Sequence, residues 1–206
     1  SFFKGFPKGP PPELMELWGE TAYRYAQMLL SKGDDKGAVE AYRYILMGNV
    51  EKDVKRQIQT EMAELCVKVG LDSSGAERTK YFKEGRDLCN EVQWKGDPDM
   101  FFGKTVVILT HMKIAEGDKK GAQKVINEYM PMLRQIDDNL KKENMPMRYS
   151  PMAQCRFLYG TLNEEEGKKL FADKSTEAEG LKQIEAALRH YFTVVIKYRP
   201  AIGPPK

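Results

Sequence analysis

Hydrolytic and nucleophilic chemistry commonly runs through histidine, and this chain has two, His111 and His190. A triad needs one of them to meet a nucleophile and an acid in space. No local pattern here supplies that meeting. His111 follows a helical pattern beside Met112, which reads as a surface or groove position. The three cysteines, Cys66, Cys89 and Cys155, are odd in number and none shares a CxxC spacing. That excludes a zinc cluster and a disulfide framework and reads as buried thiols, with one bridged pair left open for an oxidising compartment. No HxxxH or HExxH occurs, and a lone Cys or His cannot hold zinc. The run Glu164-Glu165-Glu166 lacks the alternating oxygen ligands of a calcium loop and reads as a solvated helix face. Gly33–Gly37 lacks the GxxxxGK[ST] arrangement of a phosphate loop. No catalytic residue, no metal ligand and no cofactor is nominated, and the chain is expected not to be an enzyme.

What remains is recognition. Tyr23, Tyr25, Tyr42 and Tyr44 fall in the first hairpin, mostly as packing residues, and Tyr23 reads as free to line a groove. Arg24 and Arg43 read as surface side chains with buried stems rather than as base-stacking cations. The net charge of +3 is spread over mixed signs, with 31% charged residues, so no nucleic-acid partner is expected. Met145, Met147 and Met152 flank a proline loop; core filling is the favoured use of the eleven methionines. No apolar run approaches the ~20 residues of a membrane span; the longest is Thr105–Thr110. The chain opens on Ser1, which leaves an exported, processed form and a cytoplasmic fragment both open.

The elements that must position such a surface are helices. Residues 1–12 form a Pro/Gly-rich extension whose Phe2, Phe3 and Phe6 are too apolar for a free linker. From about Glu13, apolar residues recur at spacings of three and four: Leu14, Leu17, Trp18, Ala22, Tyr25, Ala26, Leu29. Gly33-Asp34 ends that helix and caps the next, which finishes near Gly48-Asn49. A third helix runs from about Glu51 along Val54, Ile58, Met62 and Leu65 and stops at Gly70. A fourth starts after Asp72-Ser73-Ser74, carries Ala76, Tyr81, Phe82, Leu88 and Val92, and breaks at Gly96-Asp97-Pro98. The third pair covers Met100–Ala115 and Lys119–Lys142, with Pro131 expected to interrupt and kink the latter. After a loop at 143–151, the last pair covers Met152–Ala172 and Thr176–Tyr198, with an irregular stretch at Asn163–Ser175. The last stripe is Leu181, Ile184, Ala187, Leu188, Tyr191, Val194, Val195 and Tyr198. Period-two alternation is absent, which predicts an all-α fold without a sheet. The domain is expected over 13–200, followed by a tail at 201–206.

Lys32–Tyr42 (KGDDKGAVEAY) and Glu116–Ile126 (EGDKKGAQKVI) share Gly, Asp, Lys, Gly and Ala at the same offsets. They stand 84 residues apart, about two units of ~40, the size of helical-hairpin repeats. With Ala26, Gly33, Ala38 and Tyr42 in the first hairpin, Ala63 and Gly70 in the second, and Thr110, Gly117, Ala122 and Ile126 in the third, the chain resembles a divergent tetratricopeptide-repeat protein over about residues 13–200.

That resemblance implies about four stacked antiparallel hairpins in a right-handed solenoid, with a groove lined by the first helix of each hairpin. Its register nominates Tyr23, Gln27, Thr60, Glu64, Val107 and His111 for the groove wall. The function it implies is a non-catalytic scaffold that binds a protein or peptide partner. The alternative is a structural segment of a longer repeat array or of an envelope-assembly protein, whose sign would be an exposed apolar face at one end of the stack.

Overall fold

The computed structural model describes residues 2–6, 9–94 and 98–198. Among them stand eight α-helices and no strand: α1 (Met15–Ser31), α2 (Asp35–Leu46), α3 (Lys52–Leu71), α4 (Gly75–Trp94), α5 (Met100–Ala115), α6 (Lys119–Lys142), α7 (Pro151–Phe171) and α8 (Glu177–Tyr198). The fold is all-α. The chain divides into two compact units, Ser1–Lys95 and Gly96–Lys206, within the block read from the sequence as one. The expected breaks at Gly96-Asp97 and Pro200, and the 201–206 tail, lie outside the described residues.

In the first unit α1 packs on α2, α2 on α3 and α3 on α4. Ala26 and Ala38 are both fully buried, as a close crossing of α1 and α2 requires. The N-terminal extension docks: Phe3 is 3% exposed, stacks on Tyr44 at 5.0 Å and meets Trp18 edge-on at 5.0 Å. Trp18 donates its indole N–H to the Tyr44 carbonyl at 2.6 Å, so the buried indole nitrogen has a partner. Ala76 is exposed rather than part of the α4 stripe. Gly70 does not end α3, which runs to Leu71. A methyl at Gly70 would sit 2.4 Å from the Phe82 ring, so this glycine lets α4 approach α3.

The repeated segment has one geometry in both units. Gly33 and Gly117 take left-handed backbone, with φ +73° and +78°. The following aspartates cap the next helix: Asp34 accepts from the Gly37 N–H at 2.9 Å, and Asp118 from the Gly121 N–H at 2.8 Å. A Cβ on Gly37 or Gly121 would fall 2.3 or 2.1 Å from the capping carboxylate. The G-D-x-x-G-A pattern is therefore a turn, a cap, room for the cap, and a small residue for the helix crossing.

In the second unit α5 packs on α6 and α7, α6 on α7, and α7 on α8. Its core includes Val106, Ile126, Leu133, Ile136, Met152 and Cys155. The expected interruption at Pro131 does not occur. The α6 helix runs through it, because Pro131 is exposed and the carbonyl it deprives, that of Asn127, belongs to an exposed residue. The stretch from Asn163 is likewise helical as far as Phe171.

A buried carboxylate ties the unit together. Asp137, 2% exposed, accepts from the Tyr198 hydroxyl at 2.6 Å, from Lys197 Nζ at 2.9 Å and from the Ser150 hydroxyl. Ser150 in turn caps α7 by accepting the Met152 N–H at 3.1 Å.

The α8 stripe splits into two faces. Ala187 and Tyr198 are buried, and Ile184, Tyr191 and Val194 half-buried. Leu181, Leu188 and Val195, expected to pack, are exposed, together with Phe192 and Ile196.

Candidate functional site

The first unit opens a cleft between α1 and α3 with two lobes. The first lobe encloses about 480 Å³. Ile45 and Ile58, 3% and 2% exposed, form its bed, and Met15 and Val54, 37% and 44% exposed, stand at its sides. The α2–α3 connection, Gly48–Glu51, also lines it. The second lobe encloses about 540 Å³ against Gln27 and Leu30 of α1 and Glu64, Leu65 and Lys68 of α3. Tyr23 lines both lobes.

Gly19 lines the first lobe from within α1. A helix-interior glycine costs roughly 0.5–1 kcal/mol relative to alanine. Gly70, Gly103, Gly160 and Gly167, also inside helices, each answer to a neighbour, as Gly70 does to Phe82. Among the described residues, a Cβ on Gly19 meets no atom within 4 Å outside its own helix backbone and chain neighbours. The space it leaves is cleft.

The polar groups under Tyr23 are fixed. Tyr42, 2% exposed, donates its hydroxyl hydrogen to Glu61 at 2.9 Å and accepts a long bond, 3.4 Å, from the Gln27 amide. Gln57 donates to the other Glu61 oxygen at 2.8 Å. Burial and the Glu61 charge hold the Tyr42 hydroxyl well above its ordinary pKa, so it remains a donor. Tyr23 meets Tyr42 edge-on at 6.5 Å, and burial, then Glu61, raise its pKa as well.

Tyr23 and Gln27 from α1 and Glu64 from α3 therefore line one lobe. Two nominated residues are corrected. Thr60 is 2% exposed and donates to the carbonyl of Arg56 at 2.8 Å. The cleft stripe of α3 is Gln57, Glu61, Glu64 and Lys68 at helical spacing, which leaves Thr60 turned into the core. Val107 is 7% exposed and belongs to the core of the second unit. His111 lies exposed on α5, also in the second unit. Sequence reasoning missed Met15, Gly19, Val50 and Val54. An isolated glycine inside a helical pattern was the available signal for the first lobe.

Comparisons with protein-family models, with curated proteins and with solved structures find no match. The cleft is therefore read from its own geometry.

Other reactive groups are accounted for by packing. All three cysteines are free and buried. Burial pushes the Cys66 and Cys155 thiols up to about 12, and Cys89 upward as well, which leaves negligible thiolate at neutral pH. His190 stacks on Tyr159 at 4.8 Å, and burial, then Arg156, lower its pKa. Glu164 accepts from Tyr191 at 2.7 Å and pairs with Lys168, while Glu165 pairs with Lys119. Among the described residues no group of three or more His, Cys, Asp or Glu side chains is placed to hold a metal ion. Nor is any helix among them long and apolar enough to cross a membrane.

Proposed function

We propose that this chain is a non-catalytic interaction module that holds a peptide or a segment of a partner protein in the α1–α3 cleft. The carrying observation is the two-lobed cleft itself, with an apolar bed, a tyrosine between the lobes and an otherwise unexplained glycine facing the open space. Two further observations support it: successive helices pack on one another within each unit, and the repeated turn has the same cap geometry at Asp34 and Asp118, which we read as stacked helical hairpins similar to tetratricopeptide repeats.

Selection of displayed random peptides on the immobilised chain tests this reading. The expected result is a recurring peptide motif whose affinity falls at least about tenfold on Gly19→Phe, which fills the first lobe, and falls on the Tyr23→Ala/Gln27→Ala pair without loss of helicity. Selected peptides that bind all these variants as well as the parent would overturn it.

A second reading, a structural segment of a larger assembly, draws on α8. Leu181, Leu188, Phe192, Val195 and Ile196 are 47–78% exposed on one side of that helix. This patch is on the order of 500 Å², at the upper end for an isolated monomer. If it is an assembly face, sedimentation velocity will show concentration-dependent association that Phe192→Glu with Ile196→Glu abolishes. A monomer at every concentration counts against it.

A further inference from the structure

From the charge that rims the cleft we infer the chemistry of its occupant: a basic, amphipathic peptide segment, with apolar side chains in the lobes and Lys or Arg beside them. This rests on the cleft being the binding site.

The charge of the cleft runs against that of the chain. The whole protein carries +3. The residues that line the two lobes include four glutamates, Glu20 and Glu51 in the first and Glu61 and Glu64 in the second, against a single lysine. That lysine, Lys68, is paired with Asp35 at 2.7 Å and so is already neutralised within the fold. Arg24 answers Glu20 at 2.6 Å from a position one turn along α1, where both side chains are mostly exposed. Glu51 and Glu64 are exposed, and Glu61 is held in place by two donors, Tyr42 and Gln57. A fixed carboxylate beside an apolar bed attracts a cation and disfavours an acidic segment.

The apolar half of the match comes from the lobes. Met15, Val54, Ile45 and Ile58 offer the first lobe as a seat for an aliphatic or aromatic side chain. Tyr23 separates it from the second lobe, so apolar anchors are needed on both sides of one spacer turn. At Gly19 the α1 surface lacks a side chain, which lets the occupant's backbone come close. A segment with apolar anchors on one face and cations flanking them satisfies all three features.

The test uses fluorescence anisotropy with two labelled probes: a leucine/lysine peptide of helical period, and its leucine/glutamate counterpart with the same apolar face. The inference expects the lysine peptide to bind at least about tenfold more tightly, with the preference shrinking as salt is raised. Glu51→Gln with Glu64→Gln, both exposed and outside the core, is expected to weaken the lysine peptide several-fold. Gly19→Phe is expected to abolish its binding. If the glutamate peptide binds as well or better and is lost on Gly19→Phe, the charge inference is overturned while the cleft stands. If the lysine peptide binds the parent and Gly19→Phe alike, or neither peptide binds the parent, the inference is overturned; the displayed-peptide selection then decides whether the cleft reading falls with it.

Discussion

Alanine at Gly180 is expected to destabilise the second unit by roughly 3 kcal/mol, seen as a lower denaturant midpoint of the helical signal. The added Cβ would lie 2.5 Å from the Phe171 nitrogen, 2.8 Å from the Gly167 carbonyl oxygen and 2.9 Å from the Phe171 Cα. All three are backbone atoms, so no side-chain rotation relieves the contact and α7 and α8 must separate. Gly167 meets the same crossing from the other side, where a Cβ would sit 2.7 Å from Ile184. The control is Gly19→Ala, whose Cβ has open space. There the helix-propensity gain stands alone, and the variant is expected to be more stable by roughly 0.5–1 kcal/mol. A Gly180→Ala protein as stable as the parent would show that the two helices do not cross at this distance.

Asp137→Ala is expected to cost roughly 2–4 kcal/mol, the scale for leaving two buried hydroxyl donors without their acceptor. It removes the acceptor of the Tyr198 hydroxyl hydrogen, the acceptor of the Ser150 hydroxyl that caps α7, and the carboxylate partner of Lys197, which keeps only its 3.0 Å bond to the Tyr198 oxygen. In the parent, burial first and then Asp137 raise the Tyr198 pKa, so that hydroxyl is a donor to the carboxylate. A double-mutant cycle with Tyr198→Phe separates the network from simple truncation. The two substitutions should be clearly non-additive, because each removes an end of the same bond. Additive losses would mean that the side chains act independently.

The helices were legible because their signals are local. Apolar periodicity placed each one, and Gly33-Asp34 and Gly117-Asp118 announced a turn and a cap that both units carry out with the same backbone angles. What the sequence hid is what depends on a neighbour. Gly70 looked like a stop and is a packing contact with Phe82. Pro131 looked like a break and is tolerated on an exposed face. Asp137 carries no signal of its own in the sequence; only its burial among Ser150, Lys197 and Tyr198 marks it as a tie. For the cleft, position along α1 was readable for Tyr23 and Gln27. Rotation of α3 was not, because Thr60 and Glu61 are adjacent in sequence and only packing decides which of them faces out. Val54 read as core for the same reason and stands at the side of the first lobe. Leu181, Leu188 and Val195 joined one stripe in sequence because α8 is apolar over a wider arc than the face it buries.

If a partner segment binds in the α1–α3 cleft, the backbone around Gly19, Tyr23 and Val54 must sense it. Amide chemical-shift mapping on the isotope-labelled chain, titrated with a peptide obtained by display selection, tests it most directly. Saturable shifts concentrated at Gly19, Tyr23, Val50, Val54 and Glu64, and absent in Gly19→Phe, are the predicted result. Shifts concentrated on α8 or elsewhere in the second unit, with those residues unmoved, would contradict it.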